Sequence, residues 1–216
     1  MSHALPASEV NFDIYASKYD SVLKYSPAYN EVLDAALDAL APHVGKDGRA
    51  VLGDFGAGTG ELTRRLAERY PAAEIVALEM NDGFLDRLRA KVGGRGNVRV
   101  VPGDAESYDG GACFDAIVMV HVLNLTKHAA ELRAIRSIHR SLKPGGVLVI
   151  ADIGRKLDMK KHALSSLKAV YSDLGLMRTL RFYSQNRDFF AQNKIFVRGI
   201  KHLICIETKS VAPAKP

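Results

Sequence analysis

The sequence predicts a doubly wound α/β fold, built on a mostly parallel sheet of about seven strands with a small helical cap. From Ala50 onward, short apolar runs typical of buried strands alternate with segments of helical periodicity. The run Phe114–Val120 is apolar at nearly every position, as expected for a parallel strand covered on both faces. In such a sheet, ligands bind at the carboxyl ends of the strands.

The N-terminal part is predicted to be helical. Apolar residues recur at spacings of three and four up to Leu40, Pro27 fits a helix start, and Pro42 with the glycines that follow ends the pattern. We therefore predict a helical lid over residues 1–48 and an α/β domain over residues 49–209. Residues 210–216, rich in alanine and proline, are predicted to form a disordered tail.

The alternation after Ala50 predicts each element of the sheet in turn. Up to residue 151 we expect strand Val51–Asp54, helix Glu61–Arg69, strand Ile75–Glu79, helix Asp82–Val92, strands Val98–Val101 and Phe114–Val120, a helix from Lys127 to about Leu142, a tight turn at Pro144-Gly145-Gly146 and strand Val147–Ala151. The pattern is weaker after Asp152. There we expect a helical insert at about 155–175 (amphipathic over Lys156–Leu174), a short strand Met177–Phe182, a helix Ser184–Val197 and a final strand His202–Thr208.

A glycine-rich turn, Gly56-x-Gly58-x-Gly60, follows the first predicted strand and opens a helix. Glycine permits positive φ and close approach of a ligand, and the free N–H groups of the helix start favour a negative charge. Glu61 stands where the dinucleotide fingerprint requires its third glycine. Glu79 closes the second strand about twenty residues further on, where a carboxylate can accept ribose hydroxyls. These features indicate a nucleoside-like ligand with a negatively charged end.

The turn, Glu79 and the later Gly103-Asp104-Ala105 together resemble the class I S-adenosylmethionine-dependent methyltransferases, which have a Rossmann-like fold. Residues 140–146 match the "R-x-L-K-P-G-G" segment of that family. Residues 11–20 are similar to the N-terminal helix motif "F-D-x-x-A-x-x-Y-D" of small-molecule and quinone-type methyltransferases. The resemblance covers roughly Phe12 to Asp152 and is more specific for the cofactor than for the substrate.

The resemblance implies a role for each cofactor-binding position. Asp54 would hold the amino group of S-adenosylmethionine, Glu79 the ribose with Met80 on the adenine face, and Asp104 the adenine amino group, while Tyr19 would close over the carboxylate. The implied cofactor-binding residues are Tyr19, Asp54, Gly56, Ala57, Gly58, Gly60, Glu79, Met80, Asp104, Ala105 and His121.

The candidate catalytic residues are His121, Asn124 and Tyr171. The resemblance implies that His121 leaves the fourth strand facing the reaction centre, as a general base or as a polar wall that contacts the ligand. The segment after this strand lacks the proline and the aromatic residue found in enzymes that methylate amino groups of DNA or RNA. It also lacks the acidic metal ligands of metal-dependent, catechol-type methyltransferases. We therefore expect no metal.

The sequence favours in-line transfer of a methyl group to a nitrogen or oxygen of a small-molecule metabolite. Three alternatives remain open: an enzyme that cyclises the aminobutyryl arm of S-adenosylmethionine to azetidine-2-carboxylate, an RNA methyltransferase, and a cofactor-binding regulator without turnover. The net charge of +6 raises nucleic acid as a partner, but the basic residues are scattered over helices in the manner of a solvated surface.

The chain contains no apolar run of about eighteen residues, so no membrane span is predicted. Its start lacks the basic and apolar regions of a signal peptide, and its two cysteines lie far apart. We therefore expect a cytoplasmic protein.

Overall fold

The computed structural model describes residues 20, 27–122, 128–153, 190–198 and 202–209. The helices are α1 (Pro27–Leu40), α2 (Glu61–Arg69), α3 (Asp82–Val92) and α4 (His128–Ser141), with a 3-10 turn at Ala41–His43. The strands are β1 (Val51–Phe55), β2 (Glu74–Glu79), β3 (Val98–Pro102), β4 (Phe114–Val120), β5 (Leu142–Ile153), β6 (Phe190–Arg198) and β7 (His202–Lys209).

The described strands form one sheet in the order β3-β2-β1-β4-β5-β7-β6. Strands β1 to β5 are parallel, and β7 runs antiparallel between β5 and β6. The chain moves outward from β1 through β2 to β3 and then returns to β4 on the other side of β1. The strand order therefore reverses between β1 and β4, which is where an open α/β sheet has its ligand crevice. The predicted doubly wound fold is confirmed.

Alternation along the strands divides the core into two layers. In β4, Ala116 and Val118 face the cluster that contains α1 and α2, whereas Ile117 and Met119 face the cluster that contains α4. A strand covered on both faces is apolar at most positions, which explains why Asp115 alone interrupts the apolar run of β4.

The "R-x-L-K-P-G-G" segment joins α4 to the sheet. The Lys143 ammonium donates to both carboxylate oxygens of Asp115 at 2.8 Å, and Asp115 also accepts from the Val51 N–H at 2.8 Å. Residues 142–146 already belong to β5, with a register shift against β4 between Phe114 and Ala116. The predicted tight turn at Pro144-Gly145-Gly146 is therefore present as a bulge within β5, between the paired residues Leu142 and Val147, with Gly145 at φ +79°.

One predicted element is wrong. The helix expected over Ser184–Val197 is replaced from Phe190 onward by β6, which pairs antiparallel with β7. Residues 195–198 of this segment read Ile-Phe-Val-Arg, and such β-branched and aromatic residues favour a strand once a neighbouring strand is present. The predicted insert at about 155–175, the strand Met177–Phe182 and most of the lid over 1–48, up to residue 26, lie outside the described residues apart from Asp20.

Among the helices of the described part of the chain, none has both the length and the apolar character needed to cross a membrane.

Candidate functional site

A cavity of about 330 Å³ lies at the carboxyl ends of β1, β2, β3 and β4. Each of these strands contributes the residues that follow it, and the wall includes Gly56, Gly58, Glu79, Asp104, His121 and Val122. Its volume lies within the range of pockets that bind small molecules and cofactors. The topology therefore gathers into one cavity residues that are far apart in the sequence.

The glycines of the turn serve different purposes. Gly58 has φ +57°, and a Cβ built there meets no heavy atom of the described residues within 4 Å, so its open side borders the cavity. Gly60 has φ +85°, and a Cβ there would lie 2.5 Å from Leu88 Cδ1. Gly58 thus leaves space for a ligand, whereas Gly60 allows α2 to pack against α3.

The Glu79 carboxylate organises the wall of the cavity. One oxygen accepts from the Gly58 N–H at 2.8 Å, and the other accepts from the N–H groups of Met80 and Asn81 at 2.9 Å each. The residue is 6% exposed. The charge-assisted bond from Gly58 therefore fixes the glycine-rich turn relative to the end of β2, and the bonds from Met80 and Asn81 hold the carboxylate in place.

The segment after β3 forms a second acidic edge. Asp104 and Glu106 both line the cavity, and Asp104 Oδ1 accepts from the Glu106 N–H at 2.9 Å. Arg133 of α4 donates to Glu106 at 2.7 Å and so fixes this segment against the helix. Together with Glu79, these carboxylates give the cavity an acidic lining.

Asp54 lies behind the cavity wall. It is 2% exposed and accepts a 2.6 Å hydrogen bond from the Thr63 hydroxyl of α2. Burial raises the pKa of Asp54 to about 7. The hydrogen bond from Thr63 lowers this pKa in part, and the negative charge of Glu79 raises it further. The buried carboxyl group therefore exchanges its proton near neutral pH.

We expect Asp54 to make the free protein less stable as the pH rises. Between the ordinary pKa of 3.8 and about 7, the unfolded chain releases this proton and the folded chain keeps it, so the stability is full below this window and lost above it. The loss is about 4 kcal/mol at most. The variant Asp54→Asn carries no such proton, so wild type should lose stability relative to it as the pH rises. Urea unfolding of both proteins from about pH 4.5 to 7.5 measures this difference. A difference that does not change with pH would contradict the assignment.

His121 occupies the side of the cavity at the end of β4. It has φ +57°, unusual for a residue other than glycine, and its N–H donates to the Ala151 carbonyl at 2.9 Å. Its ring stacks with Tyr29 of α1, with centroids 6.1 Å apart and planes at 22°. Backbone strain at a cavity wall is typical of functional residues.

The structure brings most of the predicted residues to one cavity. Those on its wall are Gly56, Gly58, Glu79, Met80, Asp104, Ala105 and His121. Three others, Asp54, Ala57 and Gly60, are not part of the wall but belong to the layer behind it. Tyr19, Asn124 and Tyr171 lie outside the described residues.

Sequence reasoning missed several residues of the wall. Asn81 caps α3, its side chain accepting from the Phe84 N–H at 3.0 Å, and an asparagine directly before a predicted helix is a recognisable signal. Glu106, Val122 and Ala134 also line the cavity, but no local pattern distinguishes them from ordinary surface or core residues.

No metal centre was expected. Within the described ranges, no group of three or more His, Cys, Asp or Glu side chains has an arrangement that could hold a metal ion.

Comparison with known proteins gives consistent matches. Residues 52–146 match the family described as "Methyltransferase domain". Over 156 residues the chain is 34% identical to the ubiquinone/menaquinone biosynthesis C-methyltransferase UbiE of Ectopseudomonas mendocina, covering 67% of this chain and 57% of the relative. Over 147 residues it is 32% identical to the malonyl-[acyl-carrier protein] O-methyltransferase of Methylococcus capsulatus, and the match covers 67% of this chain and 50% of the relative. The chain thus spans about half the length of these curated relatives.

A solved structure supports the same fold. The putative S-adenosyl-L-methionine-dependent methyltransferase of Methanococcus maripaludis superposes with a TM-score of 0.71 at 19% identity, over 100% of both chains.

Proposed function

We propose that this chain, which belongs to the class I S-adenosylmethionine-dependent methyltransferases, transfers a methyl group from this cofactor to a small-molecule acceptor at the cavity described above. The observation that carries the proposal is the meeting of Gly58, Glu79, Asp104 and His121 at one cavity, although they come from four separate segments. A cavity of about 330 Å³ has room for a small ligand.

The residues present fit S-adenosylmethionine. The cofactor has two cationic groups and one carboxylate, and the acidic lining of Glu79, Asp104 and Glu106 complements a net positive ligand. The open side of Gly58 provides a surface that only a residue without a side chain leaves free. When bound, the cofactor supplies a methyl group made electrophilic by the adjacent sulfonium.

The protein itself would bind, orient and exclude water. We propose that Glu79 and Asp104 hold the nucleoside part, and that Asp54 favours the cationic end through its charge. Binding of a cation near Asp54 would stabilise the ionised carboxylate and release its proton. Because the cofactor is already activated, orientation and exclusion of water account for most of the rate enhancement.

On the acceptor side, we propose that His121 receives the proton that the acceptor loses. His121 lies on the cavity wall beside Tyr29, and histidine is the side chain that most often transfers protons in enzymes. The sequence favours a nitrogen or oxygen acceptor. One relative is named as a C-methyltransferase and another as an O-methyltransferase, so we add an activated carbon to the candidate atoms.

Mass spectrometry of reaction products tests the proposal. The protein is incubated with S-adenosylmethionine alone and, in separate reactions, with S-adenosylmethionine and one acceptor. The acceptors are a phenolic quinone precursor, a malonyl thioester, bulk RNA and a metabolite extract. We expect S-adenosylhomocysteine to form only with a small-molecule acceptor, which gains one methylene in mass. Methylation of RNA, methylthioadenosine formed without any acceptor, or no turnover with any of these acceptors would contradict the proposal.

A further inference from the structure

Thr59 of the glycine-rich turn binds Asp20, which comes from the N-terminal part of the chain. The Thr59 hydroxyl donates to Asp20 Oδ1 at 2.5 Å, and the Lys91 ammonium donates to the same oxygen at 2.9 Å. Lys91 also donates to the Thr59 hydroxyl at 3.4 Å. These three residues, which we call the Asp20 clamp, join the N-terminal segment, the turn and α3.

The clamp is partly shielded from solvent, which makes its ionic contact stronger than an exposed ion pair. Thr59 is 2% exposed, and the side chains of Lys91 and Asp20 are 20% and 37% exposed. By comparison, the Arg89–Asp86 pair on the same helix has a 3.6 Å separation and side chains that are 52% and 82% exposed. The two pairs therefore provide a matched contrast on α3.

The clamp holds the turn at Thr59, a residue that is not part of the cavity wall. Gly58 is held by Glu79 through its N–H, and the next residue, Thr59, is held by Asp20 through its hydroxyl. Loss of the Asp20 contact would leave Thr59 without this support, although the adjacent Gly58 would keep its own. The position of the N-terminal segment and the shape of the ligand-binding turn are thereby linked.

Lys91 also separates two carboxylates. Its ammonium lies 2.9 Å from Asp20 and 3.8 Å from Glu61, the first residue of α2. Without this cation, Asp20 would keep only the Thr59 hydroxyl as a donor among the described residues, whereas Glu61 would keep its bonds from Arg64 and Arg65. Loss of Lys91 should therefore release Asp20 as effectively as loss of the Asp20 charge.

We propose that Asp20 and Lys91 are positioning residues, which hold the chain at Asp20 on Thr59 and thereby keep the glycine-rich turn in the conformation that binds the cofactor. The proposal rests on the proposed function, because it takes the ligand of the turn to be S-adenosylmethionine. It assigns to Lys91, which is not part of the cavity wall, an effect on cofactor affinity.

Calorimetric titration with S-adenosylhomocysteine tests this role. We expect Asp20→Asn and Lys91→Met each to raise Kd about tenfold. The double variant should have about the same Kd as each single variant, because both changes break the same contact. Lys91→Arg, which keeps the charge, should stay within about threefold of wild type. Asp86→Asn and Arg89→Met, which remove the exposed pair on α3, should leave Kd unchanged.

Trypsin cleavage tests the segment directly, because Lys18 and Lys24 flank Asp20 in the sequence. Asp20→Asn and Lys91→Met should both speed cleavage at these lysines. Unchanged affinity in the two variants, or weaker affinity without faster cleavage, would overturn the proposal. If wild type does not bind S-adenosylhomocysteine, the proposed function fails, whereas the comparison of cleavage rates without ligand still decides whether the clamp holds the segment.

Discussion

Replacement of Glu79 by alanine is expected to weaken S-adenosylmethionine binding about 100-fold or more, since each factor of ten corresponds to about 1.4 kcal/mol. The wild-type carboxylate accepts hydrogen bonds from the N–H groups of Gly58, Met80 and Asn81. Glu79→Ala removes the acceptor for all three, releases the glycine-rich turn at Gly58 and takes away the charge proposed to hold the ribose. Calorimetric titration with cofactor measures the loss of affinity.

Glu74→Ala is the matched control, because Glu74 lies at the other end of the same strand and forms an exposed contact with Arg99 at 3.3 Å. We expect it to bind the cofactor like wild type.

Glu79→Gln should not restore binding, because its amide NH₂ would face a backbone N–H on one side. Circular dichroism should show both Glu79 variants folded, since the core does not depend on this side chain. Unchanged affinity in a folded Glu79→Ala would mean that the alignment of the motifs is wrong.

Replacement of Gly58 by alanine is the second change with a large expected effect. The new methyl group would enter the open space beside the cavity, where it meets no heavy atom of the described protein. We expect at least about a 30-fold loss of cofactor affinity, because the ligand and the methyl group compete for the same space. The fold should lose only about 1 to 2 kcal/mol, the ordinary cost of a left-handed backbone for an L-residue. Calorimetry and urea unfolding measure the two effects separately.

Gly94 offers a close control for this substitution. It has φ +79°, and a Cβ there also meets nothing within 4 Å of the described residues, but it follows α3 and is not part of the cavity wall. Gly94→Ala should lose a similar amount of stability and keep full cofactor affinity. Equal affinities in Gly58→Ala and Gly94→Ala would show that the ligand does not approach the turn at Gly58.

The order of strands and helices up to β5 is predictable because each element carries its own local signal. The continuous apolar run of β4 indicates burial on both faces, and Asn81 and the turn glycines mark helix starts. The strand β6 was mistaken for a helix because its pairing with β7 depends on residues that are distant in the sequence. Short-range periodicity contains no information on such a partner.

In the site, too, local sequence predicts the positions of residues but not their tertiary contacts. Glu79 and Gly58 were predicted from their positions after strands, and the topology brings both to the cavity. The hydrogen bond between them at 2.8 Å was not predictable, since it depends on the conformation of the turn. Likewise, the contact of Lys91 with Asp20 joins residues that are 71 positions apart. Sequence patterns locate the ends of elements, and tertiary structure decides which side chains meet there.

Titration of the wild-type protein with S-adenosylhomocysteine tests most directly whether the cavity at the ends of β1 to β4 binds S-adenosylmethionine. We expect one molecule bound per chain with a Kd between about 1 μM and 1 mM, the range typical of enzyme ligands, and much weaker binding by Glu79→Ala. Absence of binding at about 1 mM ligand by a protein that circular dichroism shows to be folded would contradict this assignment.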